Sequence, residues 1–396
     1  MSVFLSQQHL SQAQTLVDKT HSNGGLAPVG LERFWADDQV AAADPWSETC
    51  PQIPLGIRMG AECAFDEFGV EEEWHRLRHD EAYLLPLAKR YNDEAERIVG
   101  RRVLNETPSN PDLQWPEIKG LHDIFEAENH WEDMSYWLMS SADTPDELAA
   151  LLDRVEGRLE DLRTFMLPPD WDQTRDRITA LGGKVPSYRS QRGPVTFAMS
   201  VFGVEKLIYL INDNEDLALR FSDLIAQAML ERARILDVEG GYTEEDAPPG
   251  FYWLDDNCAM LNKDMYELFG FPILKRLFDR YSPNPGDRRG QHSDSDMGHL
   301  LPLLGQLDMT TVNLGPNLKT SEIREHLPHA VIHGQLAPFT FSRNEEVNMV
   351  AEFLRDFEMA REKRGLVFAT AGSINNGSKL SGMRLIMAAI QEYGRF

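Results

Sequence analysis

Between residues 143 and 162, Leu148, Leu151, Leu152, Val155, Leu159 and Leu162 recur at helical spacing. One face of this stretch is therefore predicted to bury in a core. The residues just before it signal its start. Thr144 can cap, Pro145 suits the first helical position, and Glu147 completes a capping box. A shorter apolar rhythm predicts a helix over residues 10–17, closed at Ser22-Asn23-Gly24-Gly25, where paired glycines favour a turn. Residues 1–50 read as an extension ahead of the main body, residues 51–396.

Beyond Gly183 the rhythm changes to short apolar runs separated by longer helical ones. The runs at residues 195–200, 251–254, 290–292, 310–314, 330–333 and 366–370 are candidate strands. Helical stretches such as residues 217–236 and 345–363 lie between most of them. Strands alternating with helices imply parallel pairing through crossover connections. Two architectures stay open, a doubly wound sheet or most of a barrel, with residues 55–58 as an earlier strand.

Polar residues follow these strands in turn. Asp255-Asp256-Asn257 follows residues 251–254, and Ser293-Asp294-Ser295-Asp296 follows Gln291-His292. Asn313 follows Val312, His333-Gly334-Gln335 follows Val331-Ile332, and Ala371-Gly372-Ser373-Ile374-Asn375-Asn376-Gly377 follows Thr370. In a parallel barrel all strand C-termini open at one mouth, so these groups are expected to converge there.

Composition narrows the function classes. Lys plus Arg number 39 and Asp plus Glu 64, a net charge of −25. Such a surface repels phosphate backbones and anionic lipid, so nucleic acid and membranes are not expected partners. The three cysteines, Cys50, Cys63 and Cys258, match no CxxC motif and are odd in number, which suits a reducing cytoplasm. The first eight residues lack a basic region followed by a long apolar stretch, so no leader is expected.

His292 with Asp294 is the strongest chemical pair, because imidazole and carboxylate together suit a divalent metal. Asp255 or Asp256 could add an oxygen ligand from the neighbouring strand end. The two are adjacent on an extended chain, so normally only one can face the mouth; Asp256 is preferred, with capping of the following helix as its structural alternative. Without a metal, His292 and Asp294 could form a general acid/base pair, and a hydrogen-bonded rim is the structural alternative. Gln335 could bind a substrate oxygen, and His333 could be a rim histidine. The Gly372-Ser373 loop could offer backbone N–H groups to an anion or be a plain turn. Cys258 and Cys63 read as core or as soft ligands.

Several of these segments resemble a known family. His333-Gly334-Gln335-Leu336-Ala337-Pro338 resembles the QGN-x-D-P segment of the uroporphyrinogen decarboxylase and corrinoid-methyltransferase superfamily. Gly193-Pro194-Val195-Thr196 resembles its GP strand, and Gln291-His292-Ser293-Asp294 its strand ending in His-x-Cys or His-Ser-Asp. Phe368-Ala369-Thr370-Ala371-Gly372-Ser373 resembles its closing segment. The resemblance covers roughly residues 185–396. It implies an α/β fold, a (β/α)8 TIM-type barrel with a helical N-terminal extension and a site at the C-terminal mouth.

The resemblance also implies one of two chemistries. The decarboxylase branch binds an acidic tetrapyrrole with paired arginines and an aspartate, and Arg58 is the one arginine here in a matching place. The methyltransferase branch holds zinc on a His-x-Cys pair and a later cysteine, and passes methyl groups to a corrinoid protein, a thiol or a folate. Asp294 and Ser373 stand at those cysteine positions. The leading expectation is therefore a metal-assisted methyltransferase acting on a small O-methyl substrate. His292, Asp294 and Asp255 would hold a divalent metal, zinc first. His292, Asp256, Gln335 and Ser373 would act on the substrate, and a corrinoid protein would be supplied in trans. A homodimer is one assembly the sequence allows. The alternatives are a cofactor-free decarboxylase of a polycarboxylate and a non-catalytic ligand-binding barrel.

Overall fold

The computed structural model describes residues 4–396; Met1, Ser2 and Val3, which open the stretch read for a leader, lie outside the described residues. Strands β1 (Asn129–Glu132) and β2 (Ser135–Leu138) form an antiparallel hairpin. Strands β3 (Ser190–Arg192), β4 (Phe251–Leu254), β5 (Arg289–Ser293), β6 (Thr311–Leu314), β7 (Val331–Leu336) and β8 (Leu366–Thr370) form one sheet in sequential order. Each link between consecutive sheet strands contains helix, as parallel pairing requires. The chain divides into two compact units, Met1–Pro108 with Ser293–Gly298 and Thr311–Phe396, and Ser109–His292 with His299–Thr310.

In the first unit, the helix expected at residues 10–17 runs over Gln7–Ser22. The Ser6 hydroxyl accepts from the His9 N–H at 3.1 Å, and Ala13, Leu16 and Val17 form its buried face. The chain leaves it through Gly24 and Gly25, whose φ of 72° and 84° suit glycine. This helix packs on the helix Glu346–Ala360. A second helix, Leu31–Ala43, carries Asp38, whose carboxylate accepts from the Leu55 N–H at 2.7 Å. Leu55 makes a parallel bridge to Phe368 in β8. The early strand expected at residues 55–58 is therefore present as a short bridge to the last strand, and such pairing of first to last is how a barrel closes.

One side chain reports the curvature of this wall. Asn313, in β6, donates its amide to the carbonyls of His333 in β7 and Thr370 in β8, the latter at 2.9 Å. In a flat sheet β6 and β8 would stand about 9.6 Å apart, beyond the reach of asparagine. The bond requires the three strands to bend around Asn313.

The link after β7 carries a buried acid. Glu352 is 1% exposed and accepts from the Ala337 N–H and the Thr340 hydroxyl, each at 2.8 Å. Burial pushes its carboxyl up from 4.5 to about 7. The folded chain thus keeps a proton that the unfolded chain has released. The associated stability is full below about 4.5 and is lost as pH rises through about 7. Glu352→Gln should abolish up to about 3 kcal/mol of that decline. Chemical denaturation at pH 4.5 and pH 8 checks this, and parallel profiles for the two proteins would contradict it.

In the second unit, the helix read from residue 144 onward is Pro145–Leu159. The Glu147 N–H meets the Thr144 hydroxyl at 3.2 Å and the Glu147 carboxylate returns to the Thr144 N–H at 3.1 Å. Leu148, Leu151, Leu152 and Val155 are its buried face. It packs on the long helix Glu215–Glu239. One element needs correction. Residues 195–200 are not a strand but part of the helix Pro194–Phe202, and the strand is the preceding β3. A short, wholly apolar run reads the same way in a buried helix and a buried strand. Pro194 at the first helical position settles it, since its fixed φ suits a first turn. No single helix among the described residues is long and apolar enough to cross a membrane.

Candidate functional site

The second unit brings side chains together at the ends of three adjacent strands. In register, Arg192 of β3 stands beside Leu254 of β4, and Leu254 beside His292 of β5. The ladder continues one residue further, with the Asp255 N–H donating to the His292 carbonyl at 3.0 Å. From there the two aspartates part. Asp255 turns into the core and is 0% exposed. Its Oδ1 accepts from the N–H and the hydroxyl of Thr196, each at 2.8 Å, so it caps the first turn of Pro194–Phe202 from outside. A Cβ at Gly193 would stand 2.0 Å from the Asp255 Cβ, so only glycine fits there. Burial raises the Asp255 carboxyl to about 6.

Asp256 faces the other way. It is half-buried, and a carboxylate oxygen lies within 4.8 Å of an imidazole nitrogen of His292. Asp255, expected as a metal ligand, is thus committed to the interior by Thr196, and Asp256 is the aspartate that stands beside His292. Cys258 is also interior. Its thiol donates to the Asp255 carbonyl at 2.8 Å, receives the Gln291 amide at 3.7 Å, and burial drives it well above its ordinary value. It is a core thiol, unable to serve as a thiolate ligand as it stands.

The first unit positions Asp294, two residues past His292 along the chain. Asp294 is exposed, and its Oδ1 accepts from the Ser373 N–H at 3.1 Å. The turn before Ser373 is closed by the Thr370 hydroxyl on the Gly372 carbonyl at 2.9 Å. Gly372 has φ of 111°, and a Cβ there would stand 2.2 Å from the Asp294 oxygen. The loop was open to two readings, a plain turn or an anion cradle; one of its N–H groups meets the protein's own Asp294 carboxylate. Ser373 takes part through its backbone, with its side chain exposed.

Gln335 needs a second correction. It is 0% exposed, and its amide donates to the Gly315 and Leu318 carbonyls, each at 3.0 Å. It braces the segment after β6 and does not present itself to a ligand. His333 is half-buried on β7 and accepts the Asn313 amide at its carbonyl.

Two features of the second unit were invisible in the sequence. A cleft of about 390 Å³ opens beside Asp256, with Arg192 and Leu254 on one side and Tyr136, Trp137 and Leu138 of the β1–β2 hairpin on the other. A strand at residues 195–200 would put Arg192 ahead of it, outside every expected element. The signal that could have found it is a lone arginine directly before Gly193-Pro194, where a strand gives way to a helix.

The uroporphyrinogen decarboxylase (URO-D) family model matches residues 158–393. A solved methyltransferase from Methanosarcina mazei is similar in fold, with a TM-score of 0.53 and 16% identity, over 90% of this chain and 98% of that one. No curated protein sequence matches. The family match takes in every sheet strand from β3 to β8, as the strand-end motifs led one to expect. On that match the chain belongs to the uroporphyrinogen decarboxylase family, with its (β/α)8 TIM-type barrel preceded here by the helices Gln7–Ser22 and Leu31–Ala43.

Proposed function

We propose that this protein is a metal-assisted methyltransferase that takes a methyl group from a small O-methyl substrate and passes it to a corrinoid protein supplied in trans. The carrying observation is the pairing of Asp256 with His292 within 4.8 Å at neighbouring strand ends. Asp294, two residues beyond His292 along the chain, is proposed as a second carboxylate ligand.

This donor set differs from the thiolate zinc site that the resemblance to the methyltransferase branch implies. No thiol is available, since Cys258 and Cys63 are both 0% exposed and burial pushes the Cys63 thiol up to about 12. One imidazole and two carboxylates suit zinc and harder divalent cations. They do not reproduce a two-thiolate centre. A divalent cation held there supplies Lewis acidity to a substrate oxygen. His292 offers a nitrogen fixed by the β4–β5 ladder. Asp294 is held in place by the Ser373 N–H, the kind of outer hydrogen bond that orients a ligating carboxylate. Oxygen donors favour polarising an ether oxygen over activating a thiol, which is why the O-methyl class is preferred. The cleft beside Asp256 holds a single arginine, Arg192, whereas binding an acidic tetrapyrrole would call for a pair.

Elemental analysis of the purified protein tests the reading. About one equivalent of divalent metal per chain is expected, and much less in His292→Ala. A wild-type protein that purifies without metal and takes up none from solution would overturn it.

A further inference from the structure

Arg192 differs from Arg324 and Arg189, two other inward arginines of this chain. Arg324 donates to the carbonyls of Leu327, Pro328, Ala330, Arg364 and Gly365. Arg189 grips both oxygens of Asp237 at 2.8 Å. Those two are structural, and their donors are used. Arg192 is half-buried, yet its only side-chain hydrogen bond among the described residues is to the Ser200 hydroxyl, at 3.2 Å. It forms no ion pair there; Asp256 acts on it only at longer range, supporting the charge that burial weakens. Guanidinium carries five donors in a planar fork that matches a carboxylate. A desolvated cation with most of its donors unmet is costly unless something fills its fork.

What could fill it is set by the cleft. The opposite wall is the β1–β2 hairpin, where Tyr136 is 43% and Trp137 59% exposed, and Leu254 is 44% exposed on the near side. At about 390 Å³ the cleft suits one small ring with a substituent. Asp256 lines the same cleft. We infer that Arg192 anchors the carboxylate of a small organic acid whose flat apolar body lies against Tyr136 and Trp137. Calling that acid the substrate rests on the metal-site reading of Asp256 and His292; the binding itself does not. In a chain of net charge −25, this isolated cation is the local feature that selects an anion over a neutral analogue.

Benzoate is the probe, titrated calorimetrically into the full chain, with benzyl alcohol as its neutral counterpart. Benzoate should bind, and Arg192→Gln should weaken it by about tenfold or more, in line with the loss of a charged hydrogen-bonded pair. Arg192→Lys should recover part of the loss, and Trp137→Ala should weaken binding by about threefold to tenfold. Benzyl alcohol should bind more weakly than benzoate and not respond to Arg192→Gln. Thermal melts of both Arg192 variants confirm that they are folded. Absence of benzoate binding to the wild-type chain, or equal binding by Arg192→Gln, overturns the inference. His292→Ala separates the two readings, because it should keep benzoate affinity while losing metal. If His292→Ala keeps metal and Arg192→Gln still loses benzoate, the metal reading fails and the anion site stands.

Discussion

Replacing His292 with alanine is expected to strip the protein of its metal and its activity while leaving the fold intact. The side chain is half-buried, and what β5 contributes to the sheet is main chain. The His292 carbonyl still receives the Asp255 N–H in the variant. Loss of a half-exposed imidazole should cost about 1 kcal/mol of stability in metal-free protein. The effect on the cation is far larger. Removing an outer hydrogen-bond partner of a metal ligand typically costs ten- to a hundredfold in affinity. Losing the sole nitrogen donor should exceed that, by about a hundredfold or more. Competition against a chelator of known affinity measures it, and activity should fall in parallel. Because bound metal adds stability through linkage, the melts must compare metal-free samples. Unchanged metal affinity in a folded variant would place the site elsewhere.

Gly372→Ala should be nearly as damaging, although residue 372 offers no ligand. The position has φ of 111°, and a Cβ would stand 2.2 Å from the Asp294 oxygen that the Ser373 N–H holds. Two penalties follow. The backbone strain costs about 1–3 kcal/mol. The Asp294 carboxylate must also swing out of its cradle and give up its hydrogen bond. Metal affinity is expected to fall by about ten- to a hundredfold. Ser373→Ala is the informative partner. It keeps the backbone N–H, so metal affinity should stay within about twofold of wild type. A large loss in Ser373→Ala with none in Gly372→Ala would mean that the hydroxyl, not the backbone, supports Asp294.

The legible part of this protein was its strand ends. An apolar run followed by polar residues marks a parallel strand reaching a barrel mouth, and β4, β5 and β8 read that way, whereas β7 runs on through His333, Gly334 and Gln335 to Leu336. Parity along an extended chain correctly predicted that only one of Asp255 and Asp256 would face outward. The preference for Asp256 had no contact behind it, because the one that turns Asp255 inward is with Thr196, 59 residues earlier. Residues 195–200 misled because a fully buried helix shows no polar face to betray its period. That single error hid Arg192, since the strand that presents it had been placed one segment too late. Gln335 misled for another reason. A polar residue at a strand end can brace its own loop as readily as face a ligand, and its partners, the Gly315 and Leu318 carbonyls, are not visible as donors or acceptors in a sequence. The β1–β2 hairpin was missed because its aromatic residues are exposed and show no core-facing alternation.

We propose that oxygen donors hold the metal here, because Asp294 and Ser373 stand where the resemblance to the methyltransferase branch implies cysteines. X-ray absorption at the zinc edge of the zinc-loaded protein distinguishes the two donor types. A first shell of nitrogen and oxygen scatterers alone, at about 2.0–2.2 Å, is expected. A sulfur scatterer near about 2.3 Å would contradict it.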